Sequence, residues 1–530
     1  MSGTLFINGR LYTAGPKDAD SVYVENGKIA AIGRRDELML QLAGKDYRKI
    51  DWDGGFVLPG LADSHLHLGM QGMKLGMLDF TGAASKEEML AMVAERACTL
   101  PEGEWILGLN WNENQFDPPI APTRLELDAV TDRHPVFLTR TCFHAFLGNS
   151  AAFRLAGVAE STPDPVSGAY GRGEDGRLNG WVYEDACGPF NAVTPAPDYT
   201  ELKDAMRRAC RHALSLGLTA GHTEDLRLLG SVDTMLRIHK ELREEGLCFR
   251  THQLLFHDYL PEAEGLGLRP GSGDDWLRIG AVKLFSDGAI GGRTALLAAP
   301  YHDAPHTSGM ALHSRERLAE LVAEARRLSY PVAVHAIGDG AAGLTLGAME
   351  SVPLPYDSRL PDRLIHAQVL NEALVKRMRG LRLIADIQPR FVASDFPWVL
   401  DRVGPDRTEY LYAWKKLIAS GVVCAGGSDA PIEPLDPFLG MHAAVTRSRP
   451  GEKHEGYLPE EKLSVDTAIH LFTRGSAAAA GEERERGAIE TGYFADFTVI
   501  DRDITRNQGE LLSVRTKMTV VNGIIAYEEA

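Results

Sequence analysis

From residue 3 to residue 58 the chain alternates short apolar runs with turn residues. TLFINGRLYT, SVYVENGKIAAIG and GGFVLPG read as strands, and Asn8-Gly9 and Asn26-Gly27 as hairpin tips. The other end has the same texture: ADFTVIDRD and KMTVVNGIIAYEE read as strands, with Asn522-Gly523 as a turn. Two β-rich ends around a different middle predict one small β-sandwich built from residues 1–58 and 488–530. Two independent β caps are the alternative.

Between the ends the pattern is α/β. Eight strand candidates recur: the run ending at His67, then 217–225, 247–256, 277–288, 330–340, 362–368, 382–389 and 421–431. Amphipathic stretches separate most of them. SRERLAELVAEARRLS has apolar residues at helical spacing and Ser314 as a candidate N-cap; NEALVKRMRG and YLYAWKKLIASG read alike. Eight alternations predict a (β/α)8 TIM barrel over 59–487, in preference to a doubly wound open sheet. Residues 70–200 do not fit one βα unit. They read as a large insertion after the first barrel strand, at the end where loops build active sites, and therefore as a shaper of the substrate pocket.

The composition belongs to a globular protein with a large core: 530 residues, 44% hydrophobic and 24% charged. A formal net charge of −17 argues against nucleic acid and anionic membrane surfaces as partners. The six cysteines show no C-x-x-C spacing, which excludes a zinc knuckle or redox motif and fits a reducing cytoplasm. Neither a signal peptide nor a membrane-spanning run is read in the chain.

The candidate chemistry starts at LPGLADSHLHL, residues 58–68. In a strand, residues i and i+2 share a face, so His65 and His67 project together, with Asp63 one pleat back. Alone, such a pair is more often structural than ligating. Four further strand ends carry a matching group: Lys283 on the fourth strand, His335 on the fifth, His366 on the sixth and Asp429 on the eighth. In a barrel these ends converge on one mouth. Four imidazoles and a carboxylate are nitrogen and oxygen donors suited to zinc. Each taken singly also has an ordinary role, as a core histidine, a salt-bridging lysine or a turn aspartate.

With these strings in order, the chain resembles the amidohydrolase superfamily and, within it, the YtcJ-like (amidohydrolase-3) branch. LPGLADSHLHL, VKLFSDGAIGGRTALL, AVHAIGDGA, RLIHAQ and GGSDAPIEPLDPF carry the resemblance, with PTRLELDAV and PVFLTRTCFHAFLGNSAA inside the insertion. The resemblance implies a metal-dependent hydrolase holding one or two divalent ions, with zinc expected. His65 and His67 would hold the more buried ion, and His335 and His366 the second. Lys283 would be carboxylated by CO2 and bridge the two, and Asp429 would be ligand and proton shuttle. Arg293, on the loop after the fourth strand, and His144, in the insertion, are candidate substrate contacts. Asn149 is a pocket or scaffold residue of the insertion. The implied reaction is hydrolysis of a C–N bond in an amide, N-substituted formamide or cyclic amide. An ester or lactone hydrolase on the same site, or a non-catalytic regulatory member, are the alternatives. A small-molecule substrate and a homo-oligomer, a dimer, complete the expectation.

Overall fold

The computed structural model describes residues 3–529 apart from 14, 16–17, 142–143 and 507. Among the described residues, eight parallel strands form one sheet in chain order. They are β1 (Leu61–Leu66), β2 (Leu218–Thr223), β3 (Arg250–Phe256), β4 (Leu277–Phe285), β5 (Val332–Ala336), β6 (Asp362–His366), β7 (Leu383–Ile387) and β8 (Val423–Gly426). The ring is nearly closed. Beyond the end of β8, Asp429 N donates to the His65 carbonyl and His67 N to the Ala430 carbonyl, both at 2.8 Å. Helices follow the strands as the apolar periodicity predicts. Arg315–Arg327 buries Leu318, Leu321, Val322 and Ala325, and Ser314 Oγ caps it by accepting from Arg317 N at 3.2 Å. The fold is a TIM-type (β/α)8 barrel.

The barrel interior holds both an apolar cluster and a buried ion pair. Leu254, Ala281, Ala333 and Ile365 pack as one cluster. Arg363 and Asp386, both fully buried, form an ion pair. Arg363 also donates to the Ser64 carbonyl, and Ser64 Oγ donates to Asp386. The pair therefore grips the residue before His65 from side chain and backbone alike. Arg363→Met leaves Asp386 buried without its partner and is expected to destabilise the chain by about 3–5 kcal/mol in urea unfolding. Adding Asp386→Leu is expected to recover most of that loss, because no charge then stays buried.

Two further sheets draw on the terminal segments. One has the order Lys28–Gly33, Ser21–Glu25, Gly3–Ile7, Tyr47–Asp51; the other Arg10–Leu11, Phe56–Pro59, Phe497–Ile500, Thr516–Val521, Ile524–Glu528. Phe6, Val22, Trp52 and Val57 share one core with Phe497, Val499, Met518 and Val520. Asn26-Gly27 and Asn522-Gly523 turn hairpins with both residues at positive φ, 53° and 74° in the first and 57° and 75° in the second. Asn8-Gly9 does not. Gly3–Ile7 is already flanked on both sides, so the chain crosses there to the other sheet, where Arg10–Leu11 runs parallel to Phe56–Pro59. Glycine is needed at this crossing because a Cβ on Gly9 would meet the Trp52 ring at 2.4 Å.

Residues 72–205 form a separate compact unit. Its sheet runs Gly168–Arg172, Leu178–Glu184, Ala145–Gly148, Val136–Arg140, Ile106–Trp111, Leu78–Asp79. Apolar clusters around Met89, Trp111 and Leu138, and around Phe137, Phe153 and Phe190, make its core. Among the described residues no helix is long and apolar enough to cross a membrane.

Candidate metal centre

The β1 end is organised by Asp63. Its Oδ1 accepts the His65 N–H at 3.0 Å and the Ser428 N–H at 3.1 Å, tying the first strand to the segment after the eighth. Asp63 thus fixes the backbone at His65. The approach is so close that a Cβ on Gly427 would lie 2.6 Å from His65 N. The backbone then turns through left-handed φ at Asp429, 60°, as it does at His366, 77°, and Ala367, 47°, where β6 ends. Such conformations cost of order 1–3 kcal/mol each and persist where surrounding structure enforces them, commonly at functional sites.

Three donor atoms converge. One ligand atom each from His65, His366 and Asp429 lies within 4.8 Å of the others, and all three residues are buried. His65 Nε2 and His67 Nε2 each stand 3.4 Å from Asp429 Oδ1, and Lys283 Nζ stands 3.1 Å from His65 Nε2. The imidazoles are aimed by their other nitrogens. His67 Nδ1 meets the Glu224 carbonyl at 2.8 Å, and His366 Nδ1 meets Gln388 Oε1 at 2.7 Å. Both partners are acceptors, so each Nδ1 carries a proton. His366 Nε2 keeps its lone pair for the centre, whereas His67 Nε2 faces the Asp429 carboxylate: burial disfavours the charged ring, but the Asp429 hydrogen bond and charge raise its pKa.

His335 is placed differently. Its ring packs 4.5 Å from that of His366, but its Nε2 donates to the Gly288 carbonyl at 3.1 Å, leaving Nδ1 as its lone-pair nitrogen. It stands beside the three-atom cluster.

Burial sets the charge state. It holds His65 and His335 well below the usual imidazole range and His366 at about 4, so these rings are neutral at pH 7. Burial also brings the Lys283 ammonium down to about 7. For Asp429 burial works upward, but the His67 hydrogen bond and the positive groups around it hold the carboxyl below its ordinary value. The donor set suits a divalent ion: neutral imidazoles with free lone pairs and one carboxylate, in the protonation states metal binding requires.

Comparison with known proteins identifies the family. The amidohydrolase family model matches residues 48–527. The chain belongs to the amidohydrolase family. It is 41% identical over 514 residues to the YtcJ protein of Bacillus subtilis (strain 168), covering 96% of each chain. It is 27% identical over 557 residues to the N-substituted formamide deformylase of Arthrobacter pascens, covering 100% of this chain and 99% of that one. The crystal structure of an uncharacterized metal-dependent hydrolase from Pyrococcus horikoshii OT3 superposes with a TM-score of 0.77 at 30% identity, over 96% of this chain and 99% of that one. Family and neighbour together support hydrolase activity and a divalent metal.

The remaining candidate contacts of this amidohydrolase already have partners of their own. Arg293 directs Nε and Nη2 onto Asp303 at 3.2 and 2.8 Å, an exposed loop salt bridge. His144, in the unit of residues 72–205, is exposed and pairs with Glu184 at 2.8 Å. Asn149 is fully buried there; it caps Ser150–Leu155 and bonds to Val136 N and to the Thr131 and His134 carbonyls. Three supporting residues escaped the sequence reading. Glu224 sits under His67 and Gln388 orients His366. Asp287 accepts the N–H groups of Leu296, Ile337 and Gly338 and so pins the loop after β4 to the end of β5. Their signal was weak: each is a lone polar residue at or just past a strand end.

Proposed function

We propose that this amidohydrolase hydrolyses the C–N bond of a small amide, N-substituted formamide or cyclic amide with water activated at a divalent, zinc-type centre. The convergence of the His65, His366 and Asp429 donor atoms supports this most directly. The named activity of the Arthrobacter relative supports counting formamides among the candidate substrates. A divalent ion held there lowers the pKa of coordinated water toward ~7 and polarises a carbonyl.

The chain's own groups divide the remaining work. His65 and His366 offer neutral nitrogens, His67 would give up the Nε2 proton it shares with Asp429 on binding the ion, and His335 keeps Nδ1 as its lone-pair nitrogen. Asp429 is ionised and takes the proton of the attacking water, then delivers it to the leaving nitrogen. Lys283, with its pKa brought down to about 7 by burial, is partly free amine at neutral pH. That lone pair can add to CO2, forming an N–C bond and losing a proton, and the carbamate supplies two ligand oxygens. Arg293 would meet substrate through donors other than the Nε and Nη2 bonds it gives to Asp303, and His144 through Nε2, since its Nδ1 holds Glu184. A homodimer in the cytoplasm completes the proposal; the five described cysteines are free thiols, which suits a reducing compartment.

Metal analysis of the purified protein is expected to find about one to two divalent ions per chain, mainly zinc, and Lys283→Ala is expected to hold at most about one. A folded protein without metal after metal-replete expression would overturn the proposal. A screen of amides, formamides and matched esters should release amine or formate; turnover of esters alone would reassign the bond.

A further inference from the structure

Arg227 stands just past the end of β2, and the proposed chemistry does not use it. Its Nε donates to Glu224 Oε2 at 2.8 Å, and its Cζ lies 4.6 Å from the Phe285 ring centroid and 5.5 Å from that of Phe256. The Glu224 side chain is 1% exposed, whereas that of Arg227 is 44% exposed. Among the described residues neither Nη of Arg227 has a hydrogen-bond partner. The guanidinium is thus fixed along one edge by a buried carboxylate and on its face by two rings, while its outer edge presents unused N–H donors in a fork.

Arg227 lies within reach of the donor cluster. Phe285 is shared: Lys283 Nζ lies 4.8 Å from the same centroid, so Lys283 Nζ and Arg227 Cζ are separated by no more than the sum of the two distances, 9.4 Å. Phe285 also faces His335, centroids 5.2 Å apart. Beside Arg227, Phe256 packs on His257 at 4.5 Å, and His257 on His313 at 5.9 Å, a partly exposed aromatic wall. Arg293, by contrast, spends its Nε and Nη2 on Asp303, which Arg402 also holds.

We propose that Arg227 anchors a carboxylate of the substrate through its free Nη edge, with the adjoining apolar part against Phe285 and Phe256. The substrate class is then an N-acyl or N-formyl compound bearing a carboxylate a short span from the scissile bond. This rests on the hydrolase proposal for the same centre. Planar, two-pronged recognition of a carboxylate is what a preoriented guanidinium does best, and a stacked, edge-braced arginine loses little freedom on binding.

The test titrates the protein as purified with 3-phenylpropionate and, as its neutral and unhydrolysable counterpart, 3-phenyl-1-propanol, by calorimetry. Metal content is measured on the same samples. The carboxylate should bind the wild type more tightly than the alcohol. Arg227→Gln should weaken the carboxylate about 10- to 100-fold, as expected for loss of a charge-assisted hydrogen-bonded pair, and the alcohol less than about two-fold. Arg227→Lys should recover only part, because it keeps the charge and loses the fork. Carboxylate affinity that survives in Arg227→Gln, equal losses for both ligands, or no carboxylate preference in the wild type would overturn the assignment. Survival in Arg227→Gln with loss on chelation would show instead that the carboxylate binds the metal. Absence of metal would count against the hydrolase proposal while the anion comparison stays readable.

Discussion

Asp429→Asn is expected to lower turnover by about 10²–10⁴-fold while metal content stays well above that of the histidine variants. Asparagine keeps an oxygen where Asp429 Oδ1 now stands, 3.4 Å from both His65 Nε2 and His67 Nε2, so a ligand remains. It cannot take up a proton. The surroundings of the Asp429 carboxylate keep it in the unprotonated form: burial opposes its charge, but the His67 bond and the positive groups near it hold the carboxyl below its ordinary value. Steady-state kinetics on any C–N substrate found, beside metal analysis of the same preparation, decides the matter. Near-normal turnover at full occupancy would reduce Asp429 to a ligand, and another group would then have to carry the proton.

His65→Ala combined with His67→Ala is expected to abolish both metal retention and hydrolysis, with the fold kept. His65 is one of the three converging ligand residues, and His67 approaches the same carboxylate oxygen. The barrel core lies elsewhere, in Leu254, Ala281, Ala333 and Ile365 and in the Arg363–Asp386 pair. A bound ion stabilises only the state that binds it, so the right reference is metal-stripped wild type. The double variant should melt within a few degrees of that reference and show no dependence on added zinc. Unfolding of the variant while stripped wild type stays folded would assign the pair a structural role instead.

The barrel was legible because its signal is local and repeated. An apolar run, a turn and an amphipathic helix recur around the ring, and each strand candidate from 217–225 to 421–431 contains an observed strand or most of one. Asn-Gly was legible where two strands of one sheet flank it, at 26–27 and 522–523, and misleading at 8–9. At 8–9 only Asn8 takes a positive φ, and the dipeptide does not say which sheet receives the next strand. Strand ends likewise told which side chains could meet at the mouth, but not how they turn. His335 directs Nε2 to the Gly288 carbonyl because Asp287 draws the loop after β4 against β5, a contact between segments about fifty residues apart in the chain.

What the sequence alone determined is the periodic and the topological: eight βα alternations, the H-x-H spacing that places two imidazoles on one strand end, and the strand-end positions of Lys283, His366 and Asp429. These follow from pleat and helix period, which are properties of neighbouring residues. Tertiary structure alone decided which polar groups are already spent. Arg293 and Arg227 look equally available as letters after a strand. The first is consumed by Asp303, and the second is braced by buried Glu224 and two phenylalanines from other strands, with its outer edge free. Hydrogen-bond satisfaction, and the burial that leaves His65 neutral and Lys283 near 7, depend on every neighbour in space. Those neighbours come from strands scattered over most of the chain, so no local pattern could name them.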